Sequence, residues 1–319
     1  MSRPLGLAVV GPGGIAAEHA RAWAQLELAQ NRWVVGKDDE SAGSFAAAWG
    51  FERSTTDLGE MLEDEAVDAV LIASPNPLHA PQAVAALEAG KHAVVEIPLA
   101  LSLADAERVV AVAAATGRRA FVCHTMRSFP PIRLLRERVQ AGELTVSQVT
   151  GFTATPRRNN DHWIGGQRDW VDNLLWHNSC HYLDAALWVL GAEESVNVSA
   201  QFGRSNPRFG MRMDVAVSFA TPANELVSFS STYNTATGAS QMRFIADEGL
   251  FTLDGSVLVD EQGNPVGEPG EWAELLPQDR AILTSLVEDA PSDFEAETVL
   301  PAMRLLEAAQ AFEPAAATA

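Results

Sequence analysis

A glycine-rich segment close to the N-terminus constrains the fold of this chain more than any other feature. An apolar run over residues 5–10 ends at Gly11-Pro12-Gly13-Gly14, and a stretch of helical period begins at Ile15. Glycines at the junction of a strand and a helix permit a tight turn and let a pyrophosphate approach the free N–H groups of the helix. The pattern therefore predicts a dinucleotide-binding unit, with a ligand-free strand-to-helix turn as the alternative.

The first 123 residues alternate short β-rich runs with longer runs of helical period. Strands are predicted at residues 5–10, 32–35, 67–72, 93–96 and 120–122. Helices are predicted between them at residues 15–28, 41–49, 80–89 and 102–116. This alternation is typical of a parallel sheet covered by helices, so we expect an α/β fold with an N-terminal Rossmann domain over residues 1–123.

The period changes after a predicted helix at residues 132–141. Strands are predicted at 145–155, 195–203, 211–219, 225–234, 241–247 and 250–254, several of which alternate apolar with polar residues. A helix at residues 174–190 interrupts this series, and helical period returns at 279–288 and 295–312. We expect residues 124–319 to form an α+β domain with a largely antiparallel, open sheet that has one polar face.

Composition excludes several classes of function. The 319 residues carry a net charge of -20, which repels nucleic acids and anionic membranes. The first apolar run is too short for a signal peptide, and no apolar run is long enough to span a bilayer. The two cysteines, Cys123 and Cys180, form no metal-binding or disulfide pattern. We expect a cytoplasmic protein without a metal, without nucleic acid and without a membrane partner.

The end of the second strand bears on the choice between NAD and NADP. The sequence there is Val34-Val35-Gly36-Lys37-Asp38, with a small residue and a cation where an acid would hold the ribose hydroxyls of NAD. Lys37 could pair with a 2′-phosphate, so NADP is the expected cofactor. NAD remains the alternative, because Asp38 or Asp39 could reach the hydroxyls instead.

The helix predicted at residues 174–190 carries His177, His181 and Asp184 on one narrow face, at about 100° per residue. Three interpretations are open at this point. The residues could be ordinary polar residues, or ligands of a metal, although no further ligand cluster is evident. Alternatively, an imidazole could act as the general base that takes a proton from a reacting hydroxyl.

Arginines are concentrated between residues 127 and 168. Seven arginines and three acids give this stretch a local charge of +4 in a strongly acidic chain. Arginine binds carboxylates through two parallel hydrogen bonds, so the stretch favours an anionic, carboxylate-bearing substrate. Three of the arginines are interpreted as a solvated helix face, and the candidates for substrate binding are Arg127, Arg157, Arg158 and Arg168.

Several segments resemble the glucose-fructose oxidoreductase and inositol dehydrogenase family, Gfo/Idh/MocA. They are the glycine loop, Ser74-Pro-Asn76-Pro-Leu-His79, Gly90-Lys-His92, Glu96-Ile97-Pro98-Leu99, and His181 with Asp184. The resemblance implies a homodimer or homotetramer. It also implies a cofactor site that includes Ser74, Asn76, His79, Glu96 and Thr125.

One departure from the family concerns catalysis. The family's usual Glu-Lys-Pro is Glu96-Ile97-Pro98 here, so the lysine expected beside the nicotinamide is absent. By the family's histidine position, His181 is the expected base, with Asp184 in support. His177 is the runner-up or a substrate ligand. Glu96 is expected to border the nicotinamide, with a cap of the turn that follows its strand as the alternative.

The Glu-Ile-Pro segment, Arg157-Arg158-x-Asn160 and Leu174-Leu-Trp176-His177 resemble one branch of the family, the 4-carboxy-2-hydroxymuconate-6-semialdehyde dehydrogenases. This resemblance implies NADP-dependent oxidation of a cyclic hemiacetal to a lactone of the 2-pyrone-4,6-dicarboxylate type, and it adds Trp176 to the substrate-binding candidates. Met126, where that branch tends to have an arginine, is a mismatch. The alternatives are a sugar or polyol dehydrogenase, and a non-catalytic NAD(P)-binding sensor.

Overall fold

The computed structural model describes residues 3–157, 171–271 and 274–314. The chain forms two compact units. The first contains residues 1–124 together with 273–300, and the second contains residues 125–272 together with 301–319.

The first unit is built on a parallel sheet. Its strands are β1 (Leu5–Val10), β2 (Ala29–Val35), β3 (Arg53–Thr55), β4 (Ala69–Ile72), β5 (His92–Val95) and β6 (Ala120–Val122), in the order β3-β2-β1-β4-β5-β6. This is the strand order of a doubly wound dinucleotide-binding sheet, in which the order reverses between β1 and β4. The predicted Rossmann domain is confirmed.

Helices follow the strands of this sheet. They are α1 (Gly14–Trp23), α2 (Asp39–Trp49), α3 (Leu58–Leu62), α4 (His79–Glu88) and α5 (Leu103–Thr116). The side chains of Asp38 and Ser102 accept hydrogen bonds from the first turns of α2 and α5, which explains where these helices begin. The sequence did not predict β3 and α3, because both are too short to show a clear period.

A later segment completes the first unit. It contains α8 (Leu276–Glu288), and its Phe294 is 2% exposed and belongs to the hydrophobic core of the first unit. The amide of Val122 donates to the carbonyl of Phe294 at 2.8 Å, and Arg119 forms an ion pair with Glu295. The sequence analysis assigned all residues from 124 onward to the second domain. It gave no sign that residues 273–300 return to the first unit.

The second unit is built on a mixed sheet. The strands are β7 (Val146–Ala154), β8 (Val196–Phe202), β11 (Asp214–Ala220), β12 (Leu226–Thr232), β13 (Ala239–Ala246), β14 (Gly249–Asp254) and β15 (Val257–Val259), and a small separate ribbon pairs β9 (Ser205–Asn206) with β10 (Met211–Arg212). The order is β15-β14-β13-β7-β12-β11-β8, with β7 and β12 parallel and the other pairs antiparallel. The predicted, largely antiparallel sheet is confirmed.

Among the described residues of the second unit, helices cover one face of this sheet and leave the other face open. The second unit contains α6 (Pro130–Gln140), α7 (Cys180–Leu190) and most of α9 (Leu300–Gln310). The Tyr182 ring of α7 stacks on Phe229 of β12, with ring centroids 4.7 Å apart. The open face presents serines and also the exposed side chains of Phe152 and Leu226. In the part of the chain that the structure describes, no helix is long and apolar enough to cross a membrane.

Candidate functional site

The glycine loop after β1 has the geometry of a pyrophosphate cradle. Gly11 adopts φ +89°, and a Cβ at this position would lie 2.6 Å from the backbone of Ser74. Glycine is therefore required there, and it brings the loop against the segment that follows β4. A Cβ on Gly13 would meet nothing within 4 Å, so the space above the N-terminus of α1 is open. These residues fit a dinucleotide.

The loop after β2 presents a cation. Lys37 is exposed, and Gly36 packs so closely on α2 that a Cβ would lie 2.9 Å from the Ala42 side chain. The carboxylate of Asp38 accepts a hydrogen bond from the Ser41 amide at 2.8 Å. The backbone and side-chain hydrogen bonds from Ser41 lower the pKa of Asp38. Asp38 is thus engaged as a helix cap, with Lys37 beside it.

The segment after β4 is joined to the turn after β5. Ser74 and Asn76 are both buried in this segment. Nδ1 of His79 lies 2.7 Å from the carbonyl of Pro98, and Nε2 lies 2.8 Å from the carbonyl of Ser74. Burial lowers the pKa of His79 despite these partners. His79 therefore links the two loops, and its contact with a cofactor stays a prediction. The Ile97–Pro98 peptide bond, which the sequence could not decide, is cis.

Glu96, at the carboxyl end of β5, ends a line of three charged side chains. Nε2 of His19, on α1, lies 2.8 Å from Oε1 of Glu96. Nδ1 of the same ring lies 2.9 and 2.8 Å from the two carboxylate oxygens of Asp279 on α8. Both ring nitrogens face carboxylates, so the arrangement is satisfied when the imidazole is protonated and donates on both sides.

The surroundings of His19 favour that charged form. Burial alone lowers the pKa of His19, but the charge and hydrogen bond of Asp279, together with hydrogen bonds to Cys123 and Glu96, raise it well above 6.5. Among the described residues, His19, Glu96 and Cys123 are a group that could hold a metal, with ligand atoms within 4.8 Å of one another. Burial raises the pKa of Cys123 to about 12. Nε2 of His19 lies 2.8 Å from Oε1 of Glu96, a direct hydrogen-bond distance, so the geometry favours a proton between these two atoms.

The helix predicted at residues 174–190 begins with a π-helical turn instead of an α-helical one. Residues Leu175–Ser179 form a π-helix, and α7 follows directly. The π turn closes i→i+5 hydrogen bonds, so the assumed 100° per residue does not hold at His177. His177 and His181 are half-buried, whereas Asp184 is buried. A general-base role for either histidine stays a prediction.

Asp184 is paired with Arg127. Nε and Nη2 of Arg127 donate to the two oxygens of Asp184 at 2.8 and 2.6 Å. Both side chains are 2% exposed. The guanidinium also lies 5.8 Å from the centroid of the Trp188 ring. The sequence analysis treated Arg127 as a substrate ligand and Asp184 as a support for His181. In the structure the two side chains are paired with each other.

Arg157 and His177 share one buried carboxylate. Nη1 of Arg157 forms an ion pair with Asp172, whose side chain is fully buried. Nε2 of His177 lies 3.5 Å from the same carboxylate. Arg157 also lies over the Tyr233 ring, 5.2 Å from its centroid. The structure therefore brings two predicted site residues together on Asp172.

Two further predicted site residues, Trp176 and Thr125, are buried in the second unit. The indole N–H of Trp176 donates to Oε1 of Gln310 at 2.9 Å. Thr125 is buried and begins a 3₁₀ turn. Arg158 and Arg168 lie outside the described residues.

Three charged residues of these sites were not found from the sequence. His19 had a signal, since it is a histidine on the buried side of the helix that begins at the glycine loop. Asp172 lies next to the arginine-rich stretch, but a single acid gave no pattern. Asp279 is 260 residues from His19 and had no local signal.

Comparisons with known proteins cover nearly the whole chain. Residues 5–124 match a family described as oxidoreductases with an NAD-binding Rossmann fold. Residues 130–268 match a family described as bacterial oxidoreductases, C-terminal.

The relatives include dehydrogenases of different substrates. A 4-carboxy-2-hydroxymuconate-6-semialdehyde dehydrogenase of Sphingobium sp. (strain NBRC 103272 / SYK-6) is 31% identical over 306 residues, which cover 94% of this chain and 96% of that protein. Inositol 2-dehydrogenase 1 of Saccharopolyspora erythraea is 33% identical over 208 residues, which cover 64% and 60%. The crystal structure of GenD2 from gentamicin A biosynthesis, in complex with NAD, has a TM-score of 0.83 at 24% identity, covering 98% of this chain and 94% of that one.

Proposed function

The chain belongs to the Gfo/Idh/MocA family of oxidoreductases, and from this premise we propose that it oxidises the cyclic hemiacetal of a carboxylated semialdehyde to a lactone, with NADP as cofactor. The predicted enzyme class, a dehydrogenase that acts on a CH–OH group, is confirmed by the family. The proposed substrate is of the 4-carboxy-2-hydroxymuconate-6-semialdehyde type. It is supported by similarity to a dehydrogenase of that name over 94% of the chain.

The observation that carries the substrate class is the arrangement around Asp172. This buried carboxylate holds the guanidinium of Arg157 and lies next to His177. A fixed guanidinium suits a carboxylate of the substrate, because its N–H groups match the two oxygens. The neighbouring imidazole offers a further polar contact.

The proposed proton acceptor is His181. As the hemiacetal C–H bond breaks, the hydroxyl proton passes to the imidazole of His181 and the oxygen forms the lactone carbonyl. Bound NADP supplies the acceptor for the hydride. Ile97 is 6% exposed and carries no ionisable group where the family commonly has lysine, which supports a base from another position. In this proposal Asp184, held by Arg127, fixes the helix that carries His181.

The proposed preference for NADP rests on the loop after β2. Lys37 is exposed there, next to Gly36, which packs closely against α2. Asp38, one of the two acids that could hold the ribose hydroxyls of NAD, accepts a hydrogen bond from the first turn of α2. A 2′-phosphate on the ribose would find a cation at this loop.

A substrate comparison tests the proposal. The purified chain is incubated with NADP⁺ and either the freshly generated ring-cleavage semialdehyde, myo-inositol or glucose, and absorbance of the reduced nicotinamide is followed. We expect NADP⁺ to be reduced rapidly with the semialdehyde and not with myo-inositol or glucose. Reduction with inositol alone would support the second candidate, a polyol dehydrogenase, which the similarity to inositol 2-dehydrogenase 1 favours. Tight binding of NADP⁺ without turnover of any substrate would support the sensor.

Two histidine variants test the assignment of the base. We expect His181→Ala to lower kcat by about two to four orders of magnitude, the usual contribution of a general base. The Kd of NADP⁺ should change little. His177→Ala should instead raise KM for the semialdehyde. A large fall of kcat in His177→Ala with near-normal kcat in His181→Ala would exchange the two roles.

We also propose that the open face of the second unit's sheet joins copies of the chain into a homodimer or homotetramer. The face carries exposed apolar side chains, Phe152 and Leu226, among serines and threonines. Light scattering should give the molar mass of a dimer or a tetramer. Phe152→Asp places a charge on the open face and should lower this molar mass. A monomer at micromolar concentration would contradict this.

A further inference from the structure

Asp279, His19 and Glu96 form a line of charge that runs from the interior of the first unit to the carboxyl end of β5. The side chains of Asp279 and His19 are 2% and 0% exposed, and that of Glu96 is 12% exposed. When His19 is protonated, one positive charge lies between two negative charges. The line then carries a net charge of -1, and its accessible end is the Glu96 carboxylate.

The position of Glu96 relates this charge to the proposed cofactor. The Glu96 amide donates to the carbonyl of Ile72, the last residue of β4, at 2.9 Å. In a doubly wound sheet the dinucleotide lies across the carboxyl ends of the strands, on both sides of the reversal between β1 and β4. Lys37 lies on the β2 side, where the adenosine ribose is expected. The nicotinamide half is therefore expected on the side of β4, β5 and Glu96.

We propose that His19 and Asp279 are positioning residues that hold the Glu96 carboxylate as a fixed negative charge, and that this charge makes the chain bind the oxidised, cationic nicotinamide in preference to the reduced, neutral one. The inference rests on the proposed function only in requiring that the first unit binds NADP. It requires no particular substrate.

The geometry explains why both positioning residues are needed. Asp279 holds the Nδ1 side of the His19 ring through both of its oxygens, which fixes the ring orientation. The ring then directs Nε2 to Glu96. Other groups that face His19 are the Cys123 thiol and, on its own helix, the Trp23 ring at 6.1 Å between centroids. Neither group adds a charge near neutral pH, since the Cys123 thiol has a pKa of about 12.

The expected size of the effect follows from Coulomb's law. Opposite unit charges within a protein, at an effective dielectric constant of about 20, attract one another strongly enough to change an equilibrium constant more than tenfold. Glu96 is partly exposed, so we expect a change of about tenfold once solvent screening is included. Only the oxidised ring carries the charge that this attraction requires.

The test compares the Kd of NADP⁺ with the Kd of NADPH, measured by titration calorimetry on the full chain without substrate. For Glu96→Gln we expect the ratio of Kd for NADPH to Kd for NADP⁺ to fall by about tenfold. A general weakening of the fold would raise both Kd values together and leave the ratio unchanged. The 2′-phosphate is common to both forms and cancels in the ratio.

Asp279→Asn tests the positioning role through pH. In the wild-type chain the pKa of His19 is raised well above 6.5, mainly by Asp279, so the ratio should change little as pH rises from 6 to 7. Without Asp279 the His19 proton is lost more easily. In this variant a protonated His19 neutralises the charge of Glu96, because Asp279 no longer balances the imidazolium. Loss of the His19 proton restores the negative charge at Glu96, so the ratio should rise with pH. Glu295→Gln is the matched control, since it removes the ion pair with Arg119 that also joins residues 274–300 to the sheet. It should give the constant ratio of the wild type.

Each result has a definite meaning. A ratio in Glu96→Gln within twofold of wild type would overturn the inference, and so would a constant, wild-type ratio in Asp279→Asn. If Asp279→Asn does not fold, Glu96→Gln still decides whether the charge acts on the cofactor. Failure of the wild-type chain to bind either form would refute the proposed cofactor and this inference with it, whereas tight binding with an unchanged ratio refutes the inference alone.

Discussion

Replacing Arg127 by methionine should destabilise the second unit strongly, because it leaves the Asp184 carboxylate buried without its cation. The two side chains are 2% exposed and are joined by hydrogen bonds of 2.8 and 2.6 Å. Removal of one member of such a pair costs about 3–5 kcal/mol. At about 2–4 °C per kcal/mol for a unit of this size, the melting temperature should fall by about 6–20 °C.

The assay is thermal unfolding followed by circular dichroism, with Arg127→Met, Asp184→Leu and the double variant compared. In the double variant both charges are gone, and an apolar pair of similar volume is often as stable as the ion pair. We therefore expect the double variant to recover most of the loss. A melting temperature of Arg127→Met within about 2 °C of wild type would refute this reasoning, because a stranded carboxylate must cost more than that. A double variant no more stable than Arg127→Met would refute it equally.

Three further predictions concern charged groups of the two units. Lys37→Ala should raise the Kd of NADP⁺ at least about tenfold and that of NAD⁺ little, since only NADP⁺ has a 2′-phosphate; equal effects in a binding titration would dismiss the NADP argument. Arg157→Lys keeps a cation beside the buried Asp172 but removes the paired N–H groups of the guanidinium, so it should raise KM for the carboxylated substrate about tenfold with a smaller change in kcat, whereas an unchanged KM in steady-state kinetics would remove Arg157 from the substrate site. The raised pKa of His19 means that its proton stabilises the fold fully below pH 6.5 and progressively less as pH rises toward the folded-state pKa. In urea unfolding, the stability difference between wild type and His19→Gln should therefore shrink above pH 6.5, by at most about 1.4 kcal/mol per pH unit, and a constant difference would contradict this.

The parts of the fold that depend on local patterns were predictable. The glycine loop at residues 11–14 and the alternation of strands and helices over the first 123 residues led to the observed parallel sheet. Alternating polarity led to the open sheet of the second unit. In each case a pattern of neighbouring residues decides the outcome, because backbone geometry repeats over two or about 3.6 residues.

The charged pairs of the site were not predictable in the same way. His19 meets Asp279 across 260 residues, and Arg127 meets Asp184 across 57. No local period connects such positions. The arginine-rich stretch predicted an anionic substrate, which stays a prediction; for Arg127 and Arg157 the structure finds partners within the chain, Asp184 and Asp172. Whether an arginine is a structural ion pair or a ligand depends on neighbours that only the fold brings together.

The helix of the second unit illustrates a third limit. Its position was predicted, but its first turn is a π-helix over Leu175–Ser179. A π turn has no distinct hydrophobic period, so a sequence pattern assigns the α geometry by default. The sequence analysis placed His177 and His181 on one face by assuming α-helical geometry throughout. That assumption fails at His177, which lies in the π-helix.

Transfer of an isotope from substrate to cofactor tests the central claim most directly. The ring-cleavage semialdehyde is prepared with deuterium on the carbon that becomes the hemiacetal carbon, and the reaction with NADP⁺ is analysed by mass spectrometry. We expect one deuterated NADPH for each lactone formed, with no deuterium in the lactone. Lactone that retains the deuterium, or deuterium released to water with no reduced cofactor, would contradict hydride transfer from the hemiacetal to NADP⁺.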